Sequence, residues 1–400
     1  MMGFERRAFL KYSLAAGAAA LLPACDQQKA GGVAPAAPGG PLHFPEKTAD
    51  LILLTDRPPQ LETPIKYFRD DLTPNDAFFV RWHLANIPTT IDTRTFRLDI
   101  KGHVQNALSL SLKELKTQFS PVSVVAVNQC AGNSRSLYQP RVPGGQWGHG
   151  AMGNANWTGV RLKDVLDKAG VKSGAVDISF QGLDAPPQAK TPEFVKSLDP
   201  AHAMDGEVMI AYEMNGAALP MLNGFPIRLI VPGWYGTYWV KALSTITVLS
   251  EKFHGFWMDK AYRMPTTPDA QETPDKLAAE TVPIAGMSVR SIFVTPSQGE
   301  QVSAGKATEV EGVAFDGGKG IAKVEISSDA GQNWAGTRLD ADLGKYSFRR
   351  WHYSWTPAAA GTAKLMVRAT NAAGETQTES QWNRSGYRRN VMESVEVKVI

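Results

Sequence analysis

Apolar and polar positions follow two different rhythms along this chain of 400 residues. Up to about Arg263, strand-like and helix-like patterns mix irregularly. Phe96 to Gly102 alternates as a half-buried strand does, one side chain inward and the next outward. Ser111 to Phe119 predicts a short helix, with Ser111 as its cap and Glu114 three residues on to complete a capping box. Val122 to Val127 is a continuous apolar strand. Leu162 to Ala169 places apolar residues at Leu162, Val165, Leu166 and Ala169, one face of a helix, and Gly170 stops it. Val176 to Phe180 and Ile227 to Val231 predict further strands, the second ended by Pro232-Gly233. The mixture lacks a regular βαβ alternation, so the fold class is α+β.

From about Ile284 the rhythm changes to short alternating strands joined by Gly, Asn and Asp turns. Ile321 to Ser327, Lys364 to Thr370 and Ser394 to Ile400 are such strands, and Asp329-Ala330-Gly331 is such a turn. This predicts an immunoglobulin-like sandwich over residues 284–400, after a folded unit at 45–263. Met264 to Thr281, rich in Pro, Thr and Asp, reads as part of a linker at 264–283.

The N-terminus adds an address. Arg6-Arg7-Ala-Phe-Leu-Lys11 precedes a soft apolar stretch from Tyr12 to Pro23, the charge-then-apolar order of an export signal. The paired arginines resemble a twin-arginine signal, whose route carries folded proteins, so a periplasmic location is expected. Residues 1–41 are then signal and flexible spacer. Leu22-Pro-Ala-Cys25 resembles a lipobox that would make Cys25 a lipid anchor; cleavage near Ala34-Pro35-Ala36 is the alternative. No other run approaches the ~20 apolar residues of a membrane span.

Composition narrows the chemistry. With 43% hydrophobic and 20% charged residues the chain is globular, and a net charge of +3 gives no reason to expect nucleic-acid binding. There are two cysteines. If Cys25 lies in the signal, Cys130 is left as an unpaired thiol, placed where the apolar strand breaks into Asn128-Gln-Cys-Ala-Gly-Asn-Ser-Arg135. Arg135 would lower the thiol pKa and favour a metal-binding thiolate; the ordinary alternative is an inert core cysteine.

Three other groups stand out. In Phe78-Phe-Val-Arg-Trp-His83, a strand would turn Arg81 and His83 to one face, able to recognise an anion. Gly144 to Asn154 holds five glycines in its first ten residues, a tightly turned loop. From Ala211 to Tyr262, glycines, aromatics and cations recur, and Arg228 beside an apolar strand needs an anion or a carboxylate. One mature cysteine with scattered histidines cannot make a sulfur-rich zinc site. No Cys-x-x-Cys-His attaches a haem, and neither Gly-x-Gly-x-x-Gly nor Gly-x-Ser-x-Gly is present.

Taken in order, Phe-Phe-Val-Arg-Trp-His83, Gln-Cys130-Ala-Gly-Asn-Ser-Arg135, Ala-Tyr-Glu-Met-Asn-Gly216 and Asn223-Gly-Phe-Pro-Ile-Arg228 resemble the sulfite oxidase family of molybdenum enzymes. The resemblance runs from roughly Asp76 to Ile400. It favours the bacterial periplasmic sulfite dehydrogenases, which pass electrons to a separate c-type cytochrome, and Trp382-Asn-Arg-Ser-Gly-Tyr387 agrees. It implies a sulfite-oxidase-type molybdopterin-binding domain, then the sandwich in a dimerisation role.

The implied cofactor is molybdenum with one molybdopterin, Cys130 being the metal's thiolate ligand. Arg81, Arg135 and Tyr262 would be the catalytic pocket for sulfite, walled by Trp147. Phe79, Arg81, His83, Asp184, Asn223, Arg228 and Lys241 would hold the pterin and its phosphate. Many animal and plant members carry His where this chain has Asn223, so contacts there would differ. The haem domain fused to the animal members is absent from this sequence, so either a separate c-type cytochrome docks or another acceptor is used; a homodimer and a heterodimer with a cytochrome both stay open. The rival readings are a related molybdenum enzyme acting on a protein-bound sulfane sulfur or a sulfoxide, and a non-enzymatic periplasmic binding protein. Arg388 and Arg389 could reach the pocket or be surface charges.

Overall fold

The strand that carries the loop of interest, Pro121–Gln129, pairs antiparallel with Met152–Arg161 along its full length, from Pro121 opposite Val160 to Gln129 opposite Met152. Its outer half is partly exposed and its inner half, from Ala126, is buried, so the chain dives into the core just before Cys130. A computed structural model describes residues 44–379 and 381–400 of the protein. The export signal, the spacer and Cys25 lie outside the described residues.

Three sheets build the first part. One joins Ile52–Asp56, Pro59–Glu62 and Val80–Arg81. The second runs Ala217–Ala218, Met209–Met214, Met152–Arg161, Pro121–Gln129, with Arg228–Ile230 also paired to Met209–Met214. The third runs Leu108–Leu110, Leu98–Gly102, Leu243–Leu249, Asp177–Gly182, Val195–Leu198. Leu98–Gly102 and Leu243–Leu249 pair in parallel across a long sequence separation. Short helices cover these sheets, which makes the part α+β as its pattern predicts.

The two predicted helices form for the predicted reasons. In Leu112–Gln118, Ser111 accepts from the Glu114 backbone while the Glu114 carboxylate accepts from the Ser111 backbone, a reciprocal capping box. In Leu162–Ala169 the four apolar positions are all buried, and Gly170 ends the helix at φ 70°. Met152–Arg161 is a strand that the glycine-rich reading of 144–154 partly hid.

Residues 284–400 fold as two facing sheets, Arg290–Thr295, Thr308–Phe315, Arg349–Trp355, Arg338–Leu339 on one side and Gln301–Val302, Glu393–Val399, Gly361–Asn371, Ile321–Ser327, Ala335–Gly336 on the other. Val310, Trp351, Leu365, Val367 and Val397 fill the space between them, each fully buried. This is the immunoglobulin-like sandwich. The stretch read as a linker carries structure of its own: Arg263–Pro265 pairs antiparallel with Thr281–Pro283, and buried Glu272 holds Arg384. The core of the first part also runs on into the sandwich through Ile284, Ile292, Val313, Phe315 and Phe348. Residues 43–400 are one compact unit. Among the described residues, no helix is long and apolar enough to cross a membrane.

Candidate active site

Two connected chambers meet at Cys130. The inner, a narrow cleft, is lined by Phe79, Arg81, His83, Asn128, Cys130, Asn223, Arg228, Thr237, Lys241 and Tyr262 among others. The outer, about 540 Å³, is lined by Arg81, Cys130, Arg135, Trp147, Trp257, Tyr262, Arg384 and Tyr387 among others. Arg81, Cys130 and Tyr262 belong to both and mark the passage between them. The 130–135 loop and the Val80–Arg81 strand thus deliver the thiol and the first guanidinium to one spot.

Cys130 is a free thiol, 7% exposed. Its backbone N–H still donates to Ala151 O at 2.9 Å, so the sheet pairing fixes where the sulfur sits. After it the chain turns sharply. Ser134 adopts a left-handed conformation, φ 66°, which aims Arg135 back across the pocket. Gly132 and Gly144 make room for that side chain. A Cβ at Gly132 would lie 2.5 Å from Arg135 Nη2, and one at Gly144 would lie 2.6 Å from Arg135 Nη1. The guanidinium donates to Gly145 O at 3.2 Å and lies over the Tyr387 ring at 5.0 Å, while its Nε has no partner.

The glycine-rich loop is pinned from beneath. The buried Glu62 carboxylate accepts from the backbones of Gly148 at 2.8 Å and Gly150 at 2.9 Å. Burial raises the Glu62 pKa, opposed by those two amides. The loop in turn accepts from Ser134 N through Gly148 O and from Ser136 N through Trp147 O.

Tyr262 closes the passage. It holds φ 55°, a costly conformation for a bulky residue and one that clusters at functional sites. Its backbone is fixed by Ile284 N donating to Tyr262 O at 2.8 Å. The ring stacks on Tyr387 at 5.3 Å and 5°. Its hydroxyl lies 2.6 Å from His83 Nε2. Burial drives the His83 pKa well below the usual imidazole value, helped by Arg81, Lys241 and Lys196, and burial raises the tyrosine. Both are therefore neutral at pH 7. The pair can hold its proton with Tyr262 donating to Nε2, or with Nε2–H donating to the tyrosine oxygen, which frees the hydroxyl hydrogen to face the chamber. His83 also stacks on Phe194 at 3.7 Å.

The inner chamber is cationic without matching carboxylates. Arg228 is 3% exposed, donates to Asn223 O and Trp239 O, and lies over Trp157, leaving Nε unpartnered. Lys241 Nζ lies over the Trp82 ring at 4.7 Å. Burial pushes the Arg228 pKa down to about 9 and that of Lys241 to about 7. Asn128 Oδ1 and Thr237 Oγ1, both buried, also lack partners. Burying such groups unpaired is expensive. Their convergence on one cavity fits a polar, anionic ligand. Among the described residues no cluster of three or more His, Cys, Asp or Glu could hold a bare ion. A metal at Cys130 must therefore bring ligands with it, as a molybdenum on a pterin dithiolene does.

Most expected residues line the chambers, with two refinements. Asn223 lines the inner one, but its amide is committed to the protein: Oδ1 accepts from Lys47 Nζ at 2.5 Å and Nδ2 donates to Phe79 O at 3.1 Å. Asp184 lines neither chamber. It is buried near Lys241, whose charge opposes the burial that raises the Asp184 pKa to about 6. Trp147 walls the outer chamber. Arg388 turns away to Ser288 and Arg389 to Glu393. Sequence reasoning passed over Asn128, Thr237, Lys47 and Tyr387 as site residues, although Tyr387 closes a quoted motif.

Two family models match the chain: "Oxidoreductase molybdopterin binding domain" over residues 84–257 and "Mo-co oxidoreductase dimerisation domain" over residues 281–400. The chain belongs to the sulfite oxidase family. Human mitochondrial sulfite oxidase (Homo sapiens) is 36% identical over 279 residues, 68% of this chain and 50% of that protein. Chicken sulfite oxidase (Gallus gallus) is 35% identical over 296 residues, 70% of this chain and 62% of that protein. The chain thus spans about half to three-fifths of the length of these relatives. Nitrate reductase [NADPH] of Fusarium oxysporum is 30% identical over 292 residues, 69% of this chain and 32% of that protein. Among solved structures, the sulfane dehydrogenase SoxCD from Paracoccus pantotrophus superposes with a TM-score of 0.73 at 25% identity, covering 92% of each chain. The family's two-part architecture is that of the fold above: a molybdopterin-binding part followed by a β sandwich.

Proposed function

We propose that this protein is a periplasmic sulfite dehydrogenase, oxidising sulfite with water to sulfate, two protons and two electrons, the electrons leaving singly to a separate c-type cytochrome. The observation that carries the reading is that Arg81, Cys130 and Tyr262 meet where the chambers join, with Arg135 lining the outer chamber that opens onto them. Two guanidiniums at one opening favour a small oxyanion through charge-assisted hydrogen bonds.

In this reading Cys130 holds molybdenum through its thiolate, a soft donor suited to the metal. Phe79, His83, Arg228, Lys241, Asn128 and Thr237 receive the pterin and its phosphate in the inner chamber. Bound there, the group supplies oxygen-atom transfer to sulfur and takes up two electrons. Arg81 and Arg135 draw sulfite in from the outer chamber and orient its oxygens, leaving the sulfur lone pair directed inward. Tyr262 donates a hydrogen bond to an oxygen of substrate when His83 Nε2–H supports its own oxygen. Trp147, Tyr387 and Trp257 narrow the approach and keep bulk water out. Asn223 orients Phe79 and Lys47 rather than touching the ligand.

The test is steady-state turnover of sulfite with ferricyanide or cytochrome c in a molybdenum-replete preparation; absence of turnover rejects the sulfite claim. One observation favours a second reading. The outer chamber, about 540 Å³, falls within the ~300–1,000 Å³ of sites that take drug-sized ligands, more room than one oxyanion needs. That suits sulfane sulfur presented on a carrier protein, in keeping with the resemblance to a sulfane dehydrogenase. Faster turnover of a carrier-bound persulfide than of sulfite would select it.

A further inference from the structure

A chain of buried polar groups connects the sandwich to the loop that aims Arg135. Arg290 opens the strand Arg290–Thr295, and Glu393 opens Glu393–Val399, on opposite sheets of the sandwich. Their side chains are 2% and 5% exposed and pair at 2.8 Å. Arg389 adds a second ion pair to Glu393 at 3.0 Å. The same Arg290 nitrogen donates to Ser134 Oγ at 2.6 Å, and Ser134 Oγ lies 2.7 Å from His149 Nδ1. His149 is neutral at pH 7: burial outweighs the pull of Glu393, and the Arg290 and Arg389 charges add to it. The hydroxyl accepts from Arg290 and donates to the unprotonated Nδ1, so all three side chains have fixed roles.

Stability alone does not account for this arrangement. Replacing a buried ion pair by apolar residues is often neutral or favourable, whereas buried polar groups that hydrogen-bond to one another fix their relative geometry. What they fix here is the left-handed Ser134, the residue before Arg135. The sandwich also touches Arg135 itself. Tyr387 lies under the guanidinium, and Gly386 packs so closely that a Cβ there would meet Arg135 Cγ and Nε at 2.9 Å.

We propose that Arg290 and Glu393 are positioning residues that act through Ser134 and His149 on the Arg135 guanidinium, so that the sandwich sets the anion affinity of the outer chamber. The proposal rests on the oxyanion reading of that chamber.

The experiment uses the cofactor-loaded, full-length protein and three variants: Ser134→Gly, Glu393→Gln and the double variant. Glycine adopts the left-handed conformation freely, so the first removes the hydroxyl and leaves the backbone path open. Two readouts are taken: sulfate affinity from the fluorescence of Trp147 and Trp257, which line the outer chamber, and KM against kcat for sulfite. Ser134→Gly is expected to weaken sulfate and raise KM by roughly 10-fold, with kcat within about 2-fold, the loss of about one hydrogen bond's worth of positioning. Glu393→Gln is expected to weaken sulfate several-fold, and the double variant is expected to be no weaker than Ser134→Gly alone, as for residues acting through one route. Sulfate affinity unchanged in Ser134→Gly overturns the proposal. So do effects that multiply in the double variant. The sulfate titration needs no turnover, so a wild type inert toward sulfite would refute the proposed function while the ratio of sulfate affinities still decides the relay.

Discussion

Gly132→Ala isolates what Arg135 contributes without altering the arginine. The added methyl would sit 2.5–2.7 Å from the guanidinium nitrogens and carbon. Ordinary carbon contacts lie at ~3.5–4.0 Å, so the guanidinium must retreat by about 1 Å. It is the far end of a long side chain and can move, at the expense of its bond to Gly145 O and its seat over Tyr387. Gly132 is not in the left-handed region, so no backbone strain accompanies the change. Alanine even restricts the unfolded chain, worth ~0.4–1 kcal/mol toward the native state. A hydrogen bond to a charged group contributes about 1.5–3 kcal/mol, which predicts a loss of about 10- to 150-fold in kcat/KM for sulfite. The assay is sulfite-dependent ferricyanide reduction over a wide range of sulfite, paired with a thermal melt by circular dichroism. A kcat/KM within 2-fold of wild type would refute the argument that Arg135 positions the anion. A large fall in melting temperature would show that the backbone, not the guanidinium, absorbs the crowding.

Four further outcomes follow from the same geometry. Cys130→Ser should abolish turnover and lower molybdenum per chain with the melting profile near that of wild type; full activity would contradict the ligand assignment. Glu62→Gln can satisfy only one of the two amides its carboxylate now accepts, so a cost of about 1–3 kcal/mol is expected in denaturant unfolding. His149 has a folded pKa of about 4 against an ordinary 6.5 because of burial. The unfolded chain therefore takes its proton first as pH falls from 6.5, and stability drops by up to about 3 kcal/mol on reaching pH 4. Glu393, held down to about 2 because its cationic neighbours outweigh burial, adds a loss from about pH 4.5 downward; a flat stability profile from pH 7 to 4 would exclude the first effect, and no steepening below pH 4.5 would exclude the second.

Local signals were legible, and long-range ones were not. The Ser111 capping box, the Leu162 helix and the break at Cys130 are written in neighbouring residues, and the structure places them where the pattern does. Arg81 and His83 share a chamber although only Val80–Arg81 is strand, because the bend after it keeps the imidazole on the same side. Tyr387 and Lys47 were invisible as site residues because their partners are far away in sequence: Tyr387 beneath Arg135, and Lys47 on Asn223. Asn128 and Thr237 look like ordinary strand-end and loop polars until their unpaired oxygens are found facing one cavity. Asp184 illustrates the converse: its motif is right but its carboxylate ends beside Lys241 rather than in the chamber. The hairpin between Arg263–Pro265 and Thr281–Pro283 escaped because prolines and threonines mask so short a pairing.

The depth of the inner chamber has a consequence for the lifetime of the protein. Asn128, Asn223, Arg228 and Thr237, which wall it, are each 2–4% exposed. A pterin seated among them would touch groups brought together only by the folded chain, so its binding should add to stability and its release should be linked to unfolding. Cofactor-loaded protein should then melt higher than cofactor-free protein, and loss of the metal should leave a chain that is easier to unfold and to degrade.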